Sequence, residues 1–145
     1  MMSAEEKSDL IRALHRLRNT GDFNAIPLVY SDEFVGHWPK GWGTGDSLGH
    51  DGVREALDRI RSAFPDWNEE VVDLIVGKDR VVTRYVSTGT HRGEFAGISP
   101  TGKRVQFEEI SIYRIEEGRV VEQGCMADDI LLSNQLRGIE LIHVQ

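Results

Sequence analysis

The chain has 145 residues, the size of one ordinary globular domain, and we predict a single domain over residues 1–145. Lys and Arg number 17 against 24 Asp and Glu, and a net charge of −7 argues against nucleic-acid binding because phosphates would be repelled. With 39% apolar residues, an acidic rather than signal-like N-terminus and no apolar run approaching about 20 residues, we expect a cytoplasmic protein without membrane contact.

The first half of the chain has helical patterning. Ser3 and Glu6 form a capping box that begins a helix reaching to about Asn19. Its apolar face contains Leu10, Ile11, Leu14 and Leu17, with Arg12, Arg16 and Arg18 on the other side. A short helix is predicted over 24–30, an extended segment over 33–39, a glycine-rich loop over 41–52 and a third helix over 51–63.

The second half changes to the two-residue period of strands. Strands are predicted over 69–76, 80–91, 103–115 and 119–127, followed by a helix over 129–137 that ends at Gly138. Helices followed by a long antiparallel meander indicate an α+β fold, in which the helices cover one face of the sheet. If the sheet curves, the two layers enclose a cone with a cavity at its wide end.

Several kinds of site are disfavoured by spacing. The five histidines show neither the His-x-x-x-His nor the His-x-His pattern, and we predict no metal site. The glycine-rich loop lacks the Gly-Lys-Ser/Thr ending of a phosphate-binding loop. Cys125 is the only cysteine, which excludes an internal disulfide and is typical of a small buried residue.

Two adjacent carboxylates end the last strand and allow two interpretations. Asp128 and Asp129 precede a helix, where an aspartate satisfies free backbone N–H groups as an N-cap. Alternatively, one aspartate caps the helix while the other points into the cavity as a general base. Apolar walls would raise the pKa of such a carboxyl toward working pH, which suits proton abstraction.

Three further residues carry both structural and chemical interpretations. His37 lies among Val35, Trp38 and Trp42 near the expected cavity mouth, where it either packs or relays protons. Arg114 is either an exposed strand residue or a cation that steers an enolate oxygen. His91 ends a strand beside a glycine turn, where a structural hydrogen bond is the commoner explanation.

Ordered blocks between residues 34 and 136 resemble the SnoaL-like polyketide cyclases. The blocks include Phe64-Pro65-Asp66-Trp67, Asp79-Arg80-Val81-Val82, Gly89-Thr90-His91-Arg92-Gly93-Glu94-Phe95, Gly97-Ile98-Ser99-Pro100-Thr101-Gly102-Lys103, Arg114-Ile115, Gly118-Arg119-Val120-Val121-Glu122 and Gln135-Leu136. The resemblance implies a nuclear transport factor 2-like cone around a deep apolar pocket. It also implies a homodimer and a reaction without metal or organic cofactor.

The resemblance further implies a lyase- or isomerase-type enzyme that acts on a polyketide ester. In such a reaction, an intramolecular aldol step closes a ring of the substrate. The family's catalytic aspartate lies six residues after the glutamate of the last strand. Counted from Glu122, this position is Asp128, and Asp129 is then the expected helix cap. His37 and Arg114 match positions near the family pocket, the latter as an oxyanion partner. The substrate contacts expected with them are Trp38, Trp42, His91, Gly124 and Met126.

Two departures from the family pattern bear on the substrate. Gly124 stands where relatives have a bulky aromatic residue, which would enlarge the pocket if that face points inward, and Gln123 stands where many have histidine. Three hypotheses therefore remain: a cofactor-free aldol cyclase or proton-transfer isomerase, an epoxide-hydrolase-like or hydroxylation-accessory enzyme, and a non-catalytic carrier of an apolar small molecule.

Overall fold

The computed structural model describes residues 1–139, as four α-helices around a six-stranded sheet in the order β2-β1-β6-β5-β4-β3. The helices are α1 (Ala4–Thr20), α2 (Ile26–Val29), α3 (Gly49–Ala63) and α4 (Asp129–Arg137), with single-turn 3₁₀ helices at Phe23–Ala25 and Lys40–Trp42. The strands are β1 (Tyr30–His37), β2 (Ser47–Leu48), β3 (Asn68–Val76), β4 (Arg80–Thr90), β5 (Arg104–Glu116) and β6 (Arg119–Ala127). The predicted α+β architecture is confirmed.

Local sequence signals explain the ends of the helices. The Ser3 hydroxyl accepts from the Glu6 backbone and the Glu6 carboxylate accepts from the Ser3 backbone, which is the predicted capping box. Helix α1 ends at Gly21, whose left-handed backbone (φ 69°) suits glycine. Helix α4 ends in the same way at the predicted Gly138.

The sheet is mixed and open, in contrast to the purely antiparallel sheet expected. Strands β3 to β6 pair antiparallel as a meander, but β1 pairs with β6 in parallel. Strands β2 and β3 form the two ends of the order, so the sheet does not close into a barrel. Register shifts in β1, β3 and the β5–β6 pair mark the irregularities at which such a sheet bends.

Side chains alternate strictly along β5. Val105, Phe107, Glu109, Ser111, Tyr113 and Ile115 are buried against the helices, and the intervening residues face outward. Helix α1 packs on this concave face with Ile11, Leu14 and Leu17, together with His15 and Arg18. Arg18 is therefore buried, although the helical pattern placed it on the polar side of α1.

The interior differs from the apolar pocket implied by the family resemblance. One apolar cluster includes Tyr113 and Ile115 of β5, and the other includes Val105 and Phe107. Between them, β5 contributes Glu109 and Ser111 to a buried polar layer. Within residues 1–139, none of the helices combines the length and apolarity that crossing a bilayer requires.

Candidate active site

A cleft of about 690 Å³ opens beside α3. One wall is formed by α3, including Arg59, Ile60 and Ala63, and the facing wall by the turn that carries Trp42. Phe95, in the loop between β4 and β5, lines it as well, and Arg18 and Trp38 also contribute. The structure thus brings together Trp38 and Trp42, two of the predicted substrate contacts.

Trp42 forms an aromatic wall of this cleft. Its ring meets those of Phe95, Phe107 and Trp67 edge-on, with centroid distances of 5.4, 6.5 and 6.5 Å. The indole Nε1 donates to Asp129 Oδ1 at 2.9 Å. The wall is therefore joined directly to one of the two candidate carboxylates.

The two adjacent aspartates have the opposite orientations to those expected from the family spacing. Asp128 is exposed and is the N-cap of α4, accepting a hydrogen bond from the Leu131 backbone at 3.1 Å. Asp129 is half-buried against the turn, and a Cβ built on Gly41 would lie 2.9 Å from its Oδ2. Burial raises the pKa of Asp129, the Asp128 charge adds to the rise, and the Trp42 hydrogen bond opposes it.

A buried ion pair anchors the cleft at Arg18. Its Nε donates to Glu69 Oε2 at 2.7 Å, and its guanidinium carbon lies 5.4 Å from the centre of the Trp38 ring. Glu69 also contacts His15 Nδ1 and accepts from Trp67 Nε1, each at 2.8 Å. Burial acts to raise the pKa of Glu69, but Arg18 and His15 outweigh it and lower the pKa to about 2.

Glu109 is a functional candidate that the sequence analysis missed. It is 2% exposed, accepts from Cys125 Sγ at 3.2 Å and from the Ser87 hydroxyl. Burial, reinforced by the charge of Glu69, raises the pKa of Glu109 to about 7. The sequence did contain a signal for it, because Glu109 alternates in phase with Phe107 and Tyr113 along β5. A carboxylate on that face of the strand would be buried.

His37 and Arg114 lie away from the cleft, on the convex side of the sheet. Both contact Glu122: His37 Nε2 lies 2.9 Å from Oε2, and Arg114 Nε lies 3.3 Å from Oε1. The other ring nitrogen of His37 lies 3.1 Å from Asp46, and the Glu122 hydrogen bond raises the pKa of His37. This placement corrects the expectation that either residue approaches Asp128 or a cavity oxygen.

The remaining predicted contacts also lie outside the cleft. Gly124 and Met126 face the convex side, where Met126 is 79% exposed, so the missing aromatic at 124 does not enlarge the cleft. His91 is fully buried beside Phe64, and its Nδ1 is bonded to Thr101. Burial lowers the pKa of His91. The Thr101 bond fits the structural alternative, while His91 Nε2 has no hydrogen-bond partner within residues 1–139.

The fold defines a class: an α+β fold of the nuclear transport factor 2-like type, with an open curved sheet and a cleft beside α3. The model of the SnoaL-like polyketide cyclases matches residues 8–136, and the chain belongs to that family. No curated protein matches the sequence.

Solved structures agree with this assignment. IdmH of Streptomyces antibioticus, described as a candidate polyketide cyclase, is 30% identical with a TM-score of 0.78, over 90% of this chain and 97% of that one. AclR of Streptomyces galilaeus, described as a candidate hydroxylase, is 28% identical with a TM-score of 0.80, over 97% and 87%. A SnoaL-like protein of Jannaschia, 16% identical with a TM-score of 0.84 over 97% and 99%, shows the fold alone.

The raised pKa of Glu109 predicts that the stability of the fold depends on pH. Its pKa in the folded state is about 7, above the ordinary 4.5. Between about pH 4.5 and 7, Glu109 is therefore protonated in the folded state but ionised in the unfolded state. The free energy of unfolding should therefore fall by up to about 3 kcal/mol as pH rises through this range, and Glu109→Gln should remove most of this fall. Urea unfolding from about pH 5 to 8 measures it.

The matched control is Glu108→Gln on the exposed face of the same strand, which should retain the wild-type slope. An unchanged slope in Glu109→Gln would contradict the assigned environment of Glu109.

Proposed function

We propose that the protein catalyses an intramolecular aldol cyclisation, or a related proton-transfer isomerisation, of a polyketide-like small molecule, with Asp129 as the acid/base. The observation that carries the proposal is a half-buried carboxylate with a raised pKa, held by the indole of Trp42 at the cleft wall. Asp128, the position that the family spacing indicates, is instead an exposed helix cap.

The walls of the cleft suit such a substrate. Trp42, Phe95 and Ile60 present aromatic and aliphatic surface, and the volume of about 690 Å³ falls within the range of small-molecule sites. Family membership and the likeness to IdmH, a candidate polyketide cyclase, support a polyketide-type ligand. Asp129 is connected to the cleft through Trp42 and Gly41, whereas Asp58 and Glu94 line the cleft directly. Both of these are exposed at the rim and lack the burial that makes a carboxylate a stronger base.

The proposed reaction balances without an oxidant, reductant or further reactant. The Asp129 carboxylate removes a proton from the carbon next to a carbonyl, and the C–H electron pair becomes the enolate double bond. The enolate carbon attacks a second carbonyl of the same molecule, and a C–C bond forms. The resulting alkoxide takes the proton back from Asp129, which restores the carboxylate.

The raised pKa of Asp129 supports this role. An acid/base is most efficient when its pKa lies close to the working pH, because both protonation states are then accessible. Trp42 limits the rotation of the carboxylate, and Gly41 permits its close approach since any side chain there would collide with it. Orientation of this kind is a precondition for rapid proton transfer.

We also propose a homodimer through the convex face. Ile110 and Met126 are cross-strand neighbours, Ile112 lies beside Gly124, and these three apolar side chains are 48 to 79% exposed. Gly124 leaves a flat gap between them, since no atom of the described part of the chain lies within 4 Å of the position that a Cβ would take. An apolar patch of this kind on a regular sheet is typical of an interface between identical subunits.

Asp129→Asn and Asp128→Asn form a matched pair that tests the acid/base. Asparagine also caps helices, so Asp128→Asn should leave both fold and turnover close to wild type. Asp129→Asn cannot accept the proton, and kcat should fall about 10²- to 10⁴-fold. Conversion of a panel of polyketide methyl esters, followed by chromatography and mass spectrometry, provides the measurement.

Loss of turnover in Asp128→Asn with activity retained in Asp129→Asn would contradict the assignment. Ligand binding that persists in both variants, with no product formed by wild-type protein, would favour the carrier hypothesis.

Ile112→Glu tests the dimer. A charge at the centre of the patch should lower the mass measured by light scattering at micromolar concentration from two chains to one. Ile130→Glu, at a 72% exposed position on α4, is the control and should remain dimeric. A wild-type protein that is monomeric at these concentrations would refute the proposal.

A further inference from the structure

Arg18 brings unused hydrogen-bond donors to the cleft. The residue is 5% exposed, it lines the cleft, and its single side-chain hydrogen bond within residues 1–139 is the one from Nε to Glu69. Neither terminal amino group, Nη1 or Nη2, donates to another atom of that part of the chain. A guanidinium carries five N–H donors, so most of the donor capacity of this buried cation is free for a ligand.

A second unused donor lies beside it. Tyr30 is 1% exposed, and its hydroxyl has no hydrogen-bond partner within the described residues. Buried hydroxyls are normally bonded, and an unpartnered one is explained by strain, by a bound water or ion, or by a catalytic role. Its position beside a cation that lines the cleft favours the catalytic role here. Burial raises the pKa of Tyr30 to about 12, while the charge of Arg18 and a polar contact of its guanidinium with the phenol oxygen act to lower it. The hydroxyl therefore stays neutral beside the guanidinium, and its proton is free to be donated.

We infer that Arg18 and Tyr30 together form an oxyanion site, which binds the carbonyl oxygen of the substrate and stabilises it as the enolate forms. The inference rests on the proposed function for the reaction and adds the residues that receive the developing charge. It also narrows the substrate to molecules with an enolisable carbonyl group that can reach Arg18.

The surroundings of Arg18 suit this role. Glu69 balances its charge through Nε, and Trp38 lies 5.4 Å from the guanidinium carbon, so the side chain is held in place before a ligand arrives. Donors fixed in advance stabilise a developing charge more than mobile ones, because no reorganisation is needed during the reaction. When Asp129 removes the proton, the negative charge appears on the carbonyl oxygen, where these donors would meet it.

Benzoylacetone is a suitable probe because it is an aryl β-diketone whose enolate has its own ultraviolet absorption. Wild-type protein should bind it and lower its apparent pKa by about 1 or more, as one charge-assisted hydrogen bond predicts. Failure of the wild type to bind the diketone or to lower its apparent pKa overturns the inference.

Tyr30→Phe is the sharpest variant because it removes only the unpartnered hydroxyl. Its thermal unfolding midpoint should equal or exceed that of the wild type, since no hydrogen bond within the described residues is lost. The pKa shift of the bound diketone should become smaller, and kcat should fall about tenfold while folding is intact. Arg18→Lys, which keeps the charge but loses the forked donors, should also reduce the shift.

Arg114→Gln, which changes the arginine on the convex face, is the matched control and should shift the diketone as the wild type does. Wild-type shifts in both Tyr30→Phe and Arg18→Lys overturn the inference. Asp129→Asn separates the two proposals: it should lose turnover but still lower the pKa of the diketone. If Asp129→Asn both lowers the pKa of the diketone and keeps wild-type turnover, the role of Asp129 is refuted and the oxyanion site is still supported.

Discussion

The buried contact between Arg18 and Glu69 holds the cleft side of this molecule together. It joins α1 to the start of β3, and Glu69 adds bonds to His15 and Trp67, so one carboxylate ties a helix to the sheet. Removing one partner of such a pair leaves an uncompensated buried charge, at a typical cost of about 3–5 kcal/mol. The same contact fixes the orientation of Arg18, on which the proposed oxyanion site depends.

Three carboxyl groups show how strongly environment decides chemistry in this fold. Glu69 faces a cation and stays ionised, with a pKa of about 2, which makes it unsuitable as a base. Glu109 is buried and has no cation in hydrogen-bond contact among residues 1–139, and its pKa of about 7 reflects that burial. Asp129 is intermediate, half-buried with a raised pKa beside the cleft, and this combination is what the proposed acid/base requires.

Much of the fold could be predicted because its signals are local. The capping box at Ser3, the stop at Gly138 and the two-residue period of the strands needed no tertiary information. The site was harder to predict, because strand parity separates the two faces of a strand without saying which one is inward. Gly124 was considered as a pocket residue, but its face of β6 is the convex one. Burial of Arg18 depends on Glu69, 51 positions away, and an isolated helix pattern contains no trace of that partner.

The most direct test is a crystal structure of the protein with benzoylacetone bound. We expect the diketone in the cleft beside Trp42, with one oxygen within hydrogen-bond distance of an Arg18 amino group and its acidic carbon toward Asp129. Binding elsewhere, or an Asp129 carboxylate turned to solvent with Asp128 directed at the ligand, would contradict this expectation.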